Sequence, residues 1–127
     1  MKKSILIVED RPEIRSFIAL ALRNLPLLLV EAGSGEDGVV LARKCHPDLI
    51  LLDVMMPGIL DGLSTLRAIR SDPELALTPV VMVSALAQER DIADAMNAGA
   101  NDYITKPFSI ARLREVIKCH VGIDSAL

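Results

Sequence analysis

The chain has 127 residues, 51% of them apolar, with 14 basic and 17 acidic side chains and a net charge of −3. Single domains most often run to roughly 100–150 residues, so this length suits one domain with its own core. A sequence pI near 5.3 and only three aromatic residues, Phe17, Tyr103 and Phe108, argue against a nucleic-acid surface, which relies on basic patches and stacking platforms.

Lys2-Lys3 is a small basic pair near the start, and nucleic-acid binding by this chain alone is not expected. Cys45 and Cys119 stand far apart and form no metal-ligand or redox motif, so they read as free thiols in a reducing compartment. The apolar run after the lysines, Ile5 to Val8, is too short for a secretory signal. No stretch approaches the roughly 20 apolar residues that span a bilayer. The expectation is a soluble, cytoplasmic protein with no membrane contact.

Along the chain, Ser4-Ile5-Leu6-Ile7-Val8 is a continuous apolar run, as expected of a strand covered on both faces. Asp10-Arg11-Pro12-Glu13 opens a helix, with proline where a missing N–H costs nothing. Ile14, Phe17, Ile18, Ala21, Leu22 and Leu25 then recur at helical spacing. Leu27 to Val30 reads as a second strand, and Gly35 to Cys45 as a helix with Val39, Val40 and Ala42 available for burial. Asp48 to Asp53 is the most apolar strand and ends on a carboxylate. A loop containing Pro57, Gly58 and Gly62 leads to a third helix through Leu63, Leu66 and Ile69. Pro79 to Val83 is the fourth strand, with Ser84 after it, and a helix from Gln88 to Asn97 stops at Gly99. Asp102 to Ile104 is a short fifth strand, and the last helix carries Ile110, Leu113, Val116 and Ile117 on one side.

Five strands alternating with five helices predict a single α/β domain over residues 1–127, a parallel sheet with helices on both faces. Ligands of such sheets sit outside the carboxyl ends of the strands, where the strand order reverses. Four groups fall there: Glu9-Asp10, Asp53, Ser84 and Lys106. Three crowded carboxylates repel, which a hard cation relieves. Mg²⁺ takes oxygen ligands and keeps several waters, a demand that two carboxylates and a backbone carbonyl meet. A carboxylate beside Mg²⁺ is a nucleophile for a phosphoryl group, and phosphoryl transfer rests on positioning and charge neutralisation. Lys106 and the Ser84 hydroxyl are suited to the phosphoryl oxygens.

Four motifs in order, Ile5-Leu6-Ile7-Val8-Glu9-Asp10, Leu52-Asp53-Val54-Met55-Met56-Pro57-Gly58, Val83-Ser84-Ala85 and Gly99-Ala100-Asn101-Asp102-Tyr103-Ile104-Thr105-Lys106-Pro107-Phe108, resemble the receiver domains of two-component response regulators. The resemblance covers about residues 3–121. It implies the doubly wound, flavodoxin-like sheet of the chemotaxis regulators, with strand order 2-1-3-4-5. It also implies Asp53 as phosphoacceptor, Asp10, Asp53 and the Met55 carbonyl as metal ligands, and Glu9 acting through a water molecule. Ser84 and Lys106 would contact the phosphoryl group, Ser84 and Tyr103 would report the switch, and the Lys106–Pro107 bond would be cis. The implied cofactor is Mg²⁺, with Mn²⁺ as a substitute. The implied phosphodonor is a histidine kinase or a histidine phosphotransfer protein. The chain would be no enzyme beyond its own phosphorylation and slow dephosphorylation. Against the family's usual spacing, Gly58-Ile59-Leu60-Asp61-Gly62 carries one extra residue, which bears on that loop's path.

Other residues have plainer readings. His46 and His120 lie outside the site, Asp91 and Asp94 read as a solvated helix face, and Met56, Met82 and Met96 as core or loop fillers. A phosphohydrolase of the haloacid-dehalogenase type also uses an aspartyl phosphate. It needs a second acid two residues after the nucleophile, where this chain has Met55. A flavodoxin-like electron carrier needs a phosphate loop after the first strand, where Glu9-Asp10 would repel a flavin phosphate.

Overall fold

In the computed structural model, residues 2–56 and 61–122 are described. Five strands, β1 (Lys3–Val8), β2 (Leu27–Ala32), β3 (Leu49–Asp53), β4 (Val80–Ser84) and β5 (Asp102–Thr105), alternate with five helices. These are α1 (Pro12–Ala21), α2 (Gly35–Cys45), α3 (Gly62–Ser71), α4 (Glu89–Asn97) and α5 (Ile110–Val121). All pairings are parallel and the strand order is β2-β1-β3-β4-β5, as expected.

The continuous apolar runs of β1, β3 and β4 have a simple cause. Successive strand residues point to opposite faces, and both faces are covered. Ile5, Ile7, Leu49, Leu51, Val81 and Val83 pack with Ile18, Leu113 and Ile117 in one core cluster, under α1 and α5. Leu6, Val8, Ile50, Leu52, Val80 and Met82 pack with Ala42, Leu66, Ile69 and Ala95 in the other, under α2, α3 and α4.

Local chemistry sets the helix starts. Ser34, Asp61 and Ser109 accept from the backbone N–H three residues on, capping α2, α3 and α5. Proline begins α1 without a side-chain cap. Asp91, expected on a solvated face, accepts from the Gln88 N–H at 3.2 Å and so fastens the start of α4.

Several apolar positions fall differently from expectation. α1 stops at Ala21, so Leu22 and Leu25 lie beyond the helix yet remain buried in its cluster. Val40, Ile110 and Phe17 are largely exposed. On α2 the inner face belongs to Gly35, Gly38, Val39 and Ala42, which leaves Val40 on the outside. His46 is the left-handed C-cap of α2, and His120 lies 3.2 Å from Asp102. The Lys106–Pro107 bond is cis. Of the loop with the extra residue, 57–60 lie outside the described residues.

At the sheet edge where β4 and β5 begin, Arg70 of α3 ties two loops together, the one before β4 and the one before β5. It donates from Nε to Gly99 O at 2.9 Å, from Nη1 to Thr78 O at 2.7 Å and from Nη2 to Asn101 Oδ1 at 2.8 Å. Asn101 Oδ1 also accepts from Val80 N–H at 2.9 Å, so the guanidinium reaches both strands. Replacing Arg70 by Met keeps the aliphatic stem and removes these three hydrogen bonds, leaving the Gly99 and Thr78 carbonyls without the guanidinium. At a net 0.5–1.5 kcal/mol per hydrogen bond, the expected loss is about 2–4 kcal/mol, read as a lower urea midpoint at unchanged m-value.

Candidate functional site

Where the chain leaves β1 and turns into α1, Glu9 and Asp10 stand at the carboxyl end of a central strand. Asp53 ends the neighbouring β3, 6% exposed, and Glu9 is 2% exposed. One carboxylate oxygen from each of Glu9, Asp10 and Asp53 lies within 4.8 Å of the others, a spacing at which they can share a cation. Burial, then a hydrogen bond with Glu9 and its charge, push the Asp10 carboxyl above its ordinary value.

Lys106, just past β5, supplies the balancing charge. Its ammonium lies 2.9 Å from Glu9 Oε1 and 3.5 Å from Asp53 Oδ1. The second Glu9 oxygen accepts from Arg11 N–H at 3.3 Å, and Asp53 Oδ1 accepts from Met55 N–H at 3.3 Å. Above these groups opens a cleft of about 220 Å³ lined by Asp10, Arg11, Asp53, Met55, Ala85 and Lys106. Gly62 lets α3 begin hard against the strand end: a Cβ there would collide with the Asp53 carbonyl and Val54 Cα. Its N–H instead donates to Val54 O at 3.0 Å.

Ser84 and Tyr103 meet on one residue, Leu86, beside the cleft. Ser84 is fully buried, and its Oγ accepts from Leu86 N–H at 3.0 Å. The Tyr103 hydroxyl donates to the Leu86 carbonyl at 2.8 Å. Burial pushes the Tyr103 phenol up, partly offset by the nearby Ser84 hydroxyl, so the phenol remains a donor at neutral pH. Ser84 is not the N-cap of α4, a place taken by Gln88.

The structure therefore brings Glu9, Asp10, Asp53 and Lys106 together, with the Met55 backbone beside them and Ser84 and Tyr103 one step away. Two groups beside the acids had no signal in the sequence. Arg11 enters through its backbone N–H, which any residue but proline offers. Arg15 of α1 donates to the Glu9 carbonyl, and its partner Glu31 is 16 residues away on β2.

Comparison with known proteins bears on the whole chain. The sequence profile of the response regulator receiver domain matches residues 5–118. The transcriptional regulatory protein AfsQ1 of Streptomyces coelicolor is 39% identical over 119 residues, 91% of this chain and 51% of AfsQ1. The DNA-binding dual master transcriptional regulator RpaA of a Synechocystis strain is 36% identical over 90% of this chain and 48% of its own length. The chain thus spans about half the length of these relatives. The receiver domain of the sensor histidine kinase PA1611 from Pseudomonas aeruginosa, whose active-site cleft coordinates a magnesium ion, is 32% identical. It superposes with a TM-score of 0.87 over 97% of this chain and all of that one. The profile runs from the first buried strand into the last helix, and the superposition covers 97% of the chain, so the likeness belongs to the entire sheet. The chain belongs to the family of response regulator receiver domains, the switches of two-component signalling.

Proposed function

We propose that Asp53 accepts a phosphoryl group from a histidine kinase or histidine phosphotransfer protein, in a Mg²⁺-dependent reaction that alters a partner-binding face. The observation that carries this reading is the Asp53 carboxylate at the floor of a cleft, 3.5 Å from the Lys106 ammonium and sharing 4.8 Å spacing with Glu9 and Asp10. The carboxylate attacks phosphorus, the bond from phosphorus to the donor breaks, and the donor atom leaves with the electron pair. Asp10, Asp53 and the Met55 carbonyl would hold Mg²⁺, which supplies positive charge against the phosphoryl oxygens. Mn²⁺ satisfies the same oxygen donor set. Both Glu9 oxygens already accept from the chain's own donors, which supports a role for Glu9 through water rather than direct ligation.

Lys106 is placed to turn from Glu9 to a phosphoryl oxygen. Ser84 would give a second contact by turning its hydroxyl away from Leu86 N–H. Because Tyr103 holds the carbonyl side of the same residue, that turn loosens a residue held through both of its backbone groups. Ser84 and Tyr103 are therefore the switch pair in this reading. The chain acts as phosphoacceptor and does no other enzymology. A phosphohydrolase role is not favoured, since the Met55 side chain at the cleft cannot protonate a leaving group.

The setting is the cytoplasm, where exposed free Cys45 and Cys119 fit a reducing compartment. No described helix is long and apolar enough to cross a membrane. The chain alone would bind no nucleic acid, given its acidic balance.

Incubation with a small phosphodonor and Mg²⁺ is expected to add one phosphoryl mass to the parent and none to Asp53→Asn. An unchanged mass gain in that variant, read by intact-protein mass spectrometry, rules out Asp53. Asp10→Ala is expected to lose most of its Mg²⁺ affinity in a calorimetric titration, because a carboxylate ligand and its charge are both gone. Affinity equal to the parent's would put the cation elsewhere.

The phosphorylated state is expected to be long-lived. Met55 and Leu86 line one groove beside the cleft, and neither side chain can orient an attacking water. Positioned groups that do so contribute about 10²–10⁴ in rate in general acid–base catalysis. Met55→Asn, or Leu86 replaced by a polar residue, should therefore shorten the lifetime after donor removal. Slower phosphate loss in these variants than in the parent counts against the assignment.

A further inference from the structure

We propose that Arg15 is a positioning residue for the cation site, acting through the backbone that carries Glu9 and Asp10. The inference rests on the reading of Glu9, Asp10 and Asp53 as the cation's acids. Arg15 belongs to the first turn of α1, where its N–H donates to Arg11 O at 3.1 Å. Helical side chains lean toward the helix N-terminus, and this one reaches back over the end of β1. There Nη1 donates to the Glu9 carbonyl at 2.6 Å, a charge-assisted bond at the short end of the range.

The other arm of the fork fixes the guanidinium. Nε donates to Glu31 Oε1 at 3.1 Å, and Glu31 pairs with Ile7 in the register of β1 on β2. The Glu9 N–H in turn donates to Ala32 O at 3.0 Å. Glu9 is thus strapped to the end of β2 through both of its backbone groups, directly by N–H and through Arg15 by C=O. Its carboxylate meets Lys106 and Arg11 N–H on the other side. The Glu9 carbonyl belongs to the peptide that leads into Asp10, so its direction sets where the Asp10 carboxylate points. Among the described hydrogen bonds, Arg15 is what orients that carbonyl.

The choice of arginine follows from the geometry. A planar fork reaches a carbonyl and a carboxylate at once, whereas an ammonium offers a compact point charge. Glu31 matters electrostatically as well. An unpaired cation this near the acids would oppose a bound divalent ion, and the ion pair offsets that charge.

The test is calorimetric titration of the full chain with Mg²⁺ alone, at a temperature where circular dichroism shows each variant folded. Partners that hold a metal's ligands in place typically contribute 10–100-fold in affinity, so Arg15→Met is expected to bind about tenfold more weakly than the parent. Arg15→Lys, keeping the charge and one donor, is expected between the two. Should Arg15→Met not fold, Arg15→Gln is titrated in its place and judged alike. Parent affinity in the folded Met or Gln variant overturns the proposal. So does a Lys variant no better than Met, since a merely structural role shifts stability without graded rescue of affinity. A parent that binds no Mg²⁺ sinks instead the reading of the acidic cluster.

Discussion

Three carboxylates within 4.8 Å of one another are an expensive arrangement, and much of this molecule is organised to keep them so. At such spacing each negative charge raises the cost of ionising the next, most of all where water is thin. Glu9 and Asp53 are almost fully buried, and the charge on the Lys106 ammonium is what the chain itself sets against them. That ammonium touches two of the three acids, and even with Arg11 also at the cleft the three carboxylates outnumber the two cations. A pocket in this state attracts a hard cation and, once charged with it, a phosphoryl group.

The fold imposes the crowding from a distance. β1 and β3 are neighbours although α1, β2 and α2 separate them in sequence, so their carboxyl ends deliver Glu9-Asp10 and Asp53 side by side. Strands buried on both faces cannot slip register without exposing a row of large side chains, which fixes the acids along the strand axis. Gly62 permits α3 to close against the Asp53–Val54 peptide, and Arg70 fastens the opposite end of the same sheet. Rigidity at both ends is what makes the repulsion persist instead of relaxing.

Much of this could be read from the residues. The two-sided runs of β1, β3 and β4 announced a covered parallel sheet, and the strand ends announced the acids and Lys106. Periodicity was less reliable at helix margins. It reports which side chains face the core, as Leu22 and Leu25 do, and not where backbone hydrogen bonding stops. Val40 and Ile110 look like core by composition and lie outside, because smaller or better-placed neighbours already occupy the inner face. The arginine contacts were illegible. Arg15 with Glu31 and Arg70 with Asn101 join residues 16 and 31 apart, through loops whose meeting depends on strand order.

The last link runs from the acids to the surface through a single residue. Leu86 has its N–H bound by Ser84 and its carbonyl by Tyr103, and it leads into α4. Any event at Asp53 that recruits the Ser84 hydroxyl removes one of those two anchors. Tyr103, at 9% exposure, then retains or loses its own bond according to where the Leu86 carbonyl settles. On the proposed reading of Ser84 and Tyr103, a chemical change confined to the strand ends would reach the β4–α4 connection and the aromatic on β5. The sheet, with its two packed faces, is the fixed frame against which that one connection would shift.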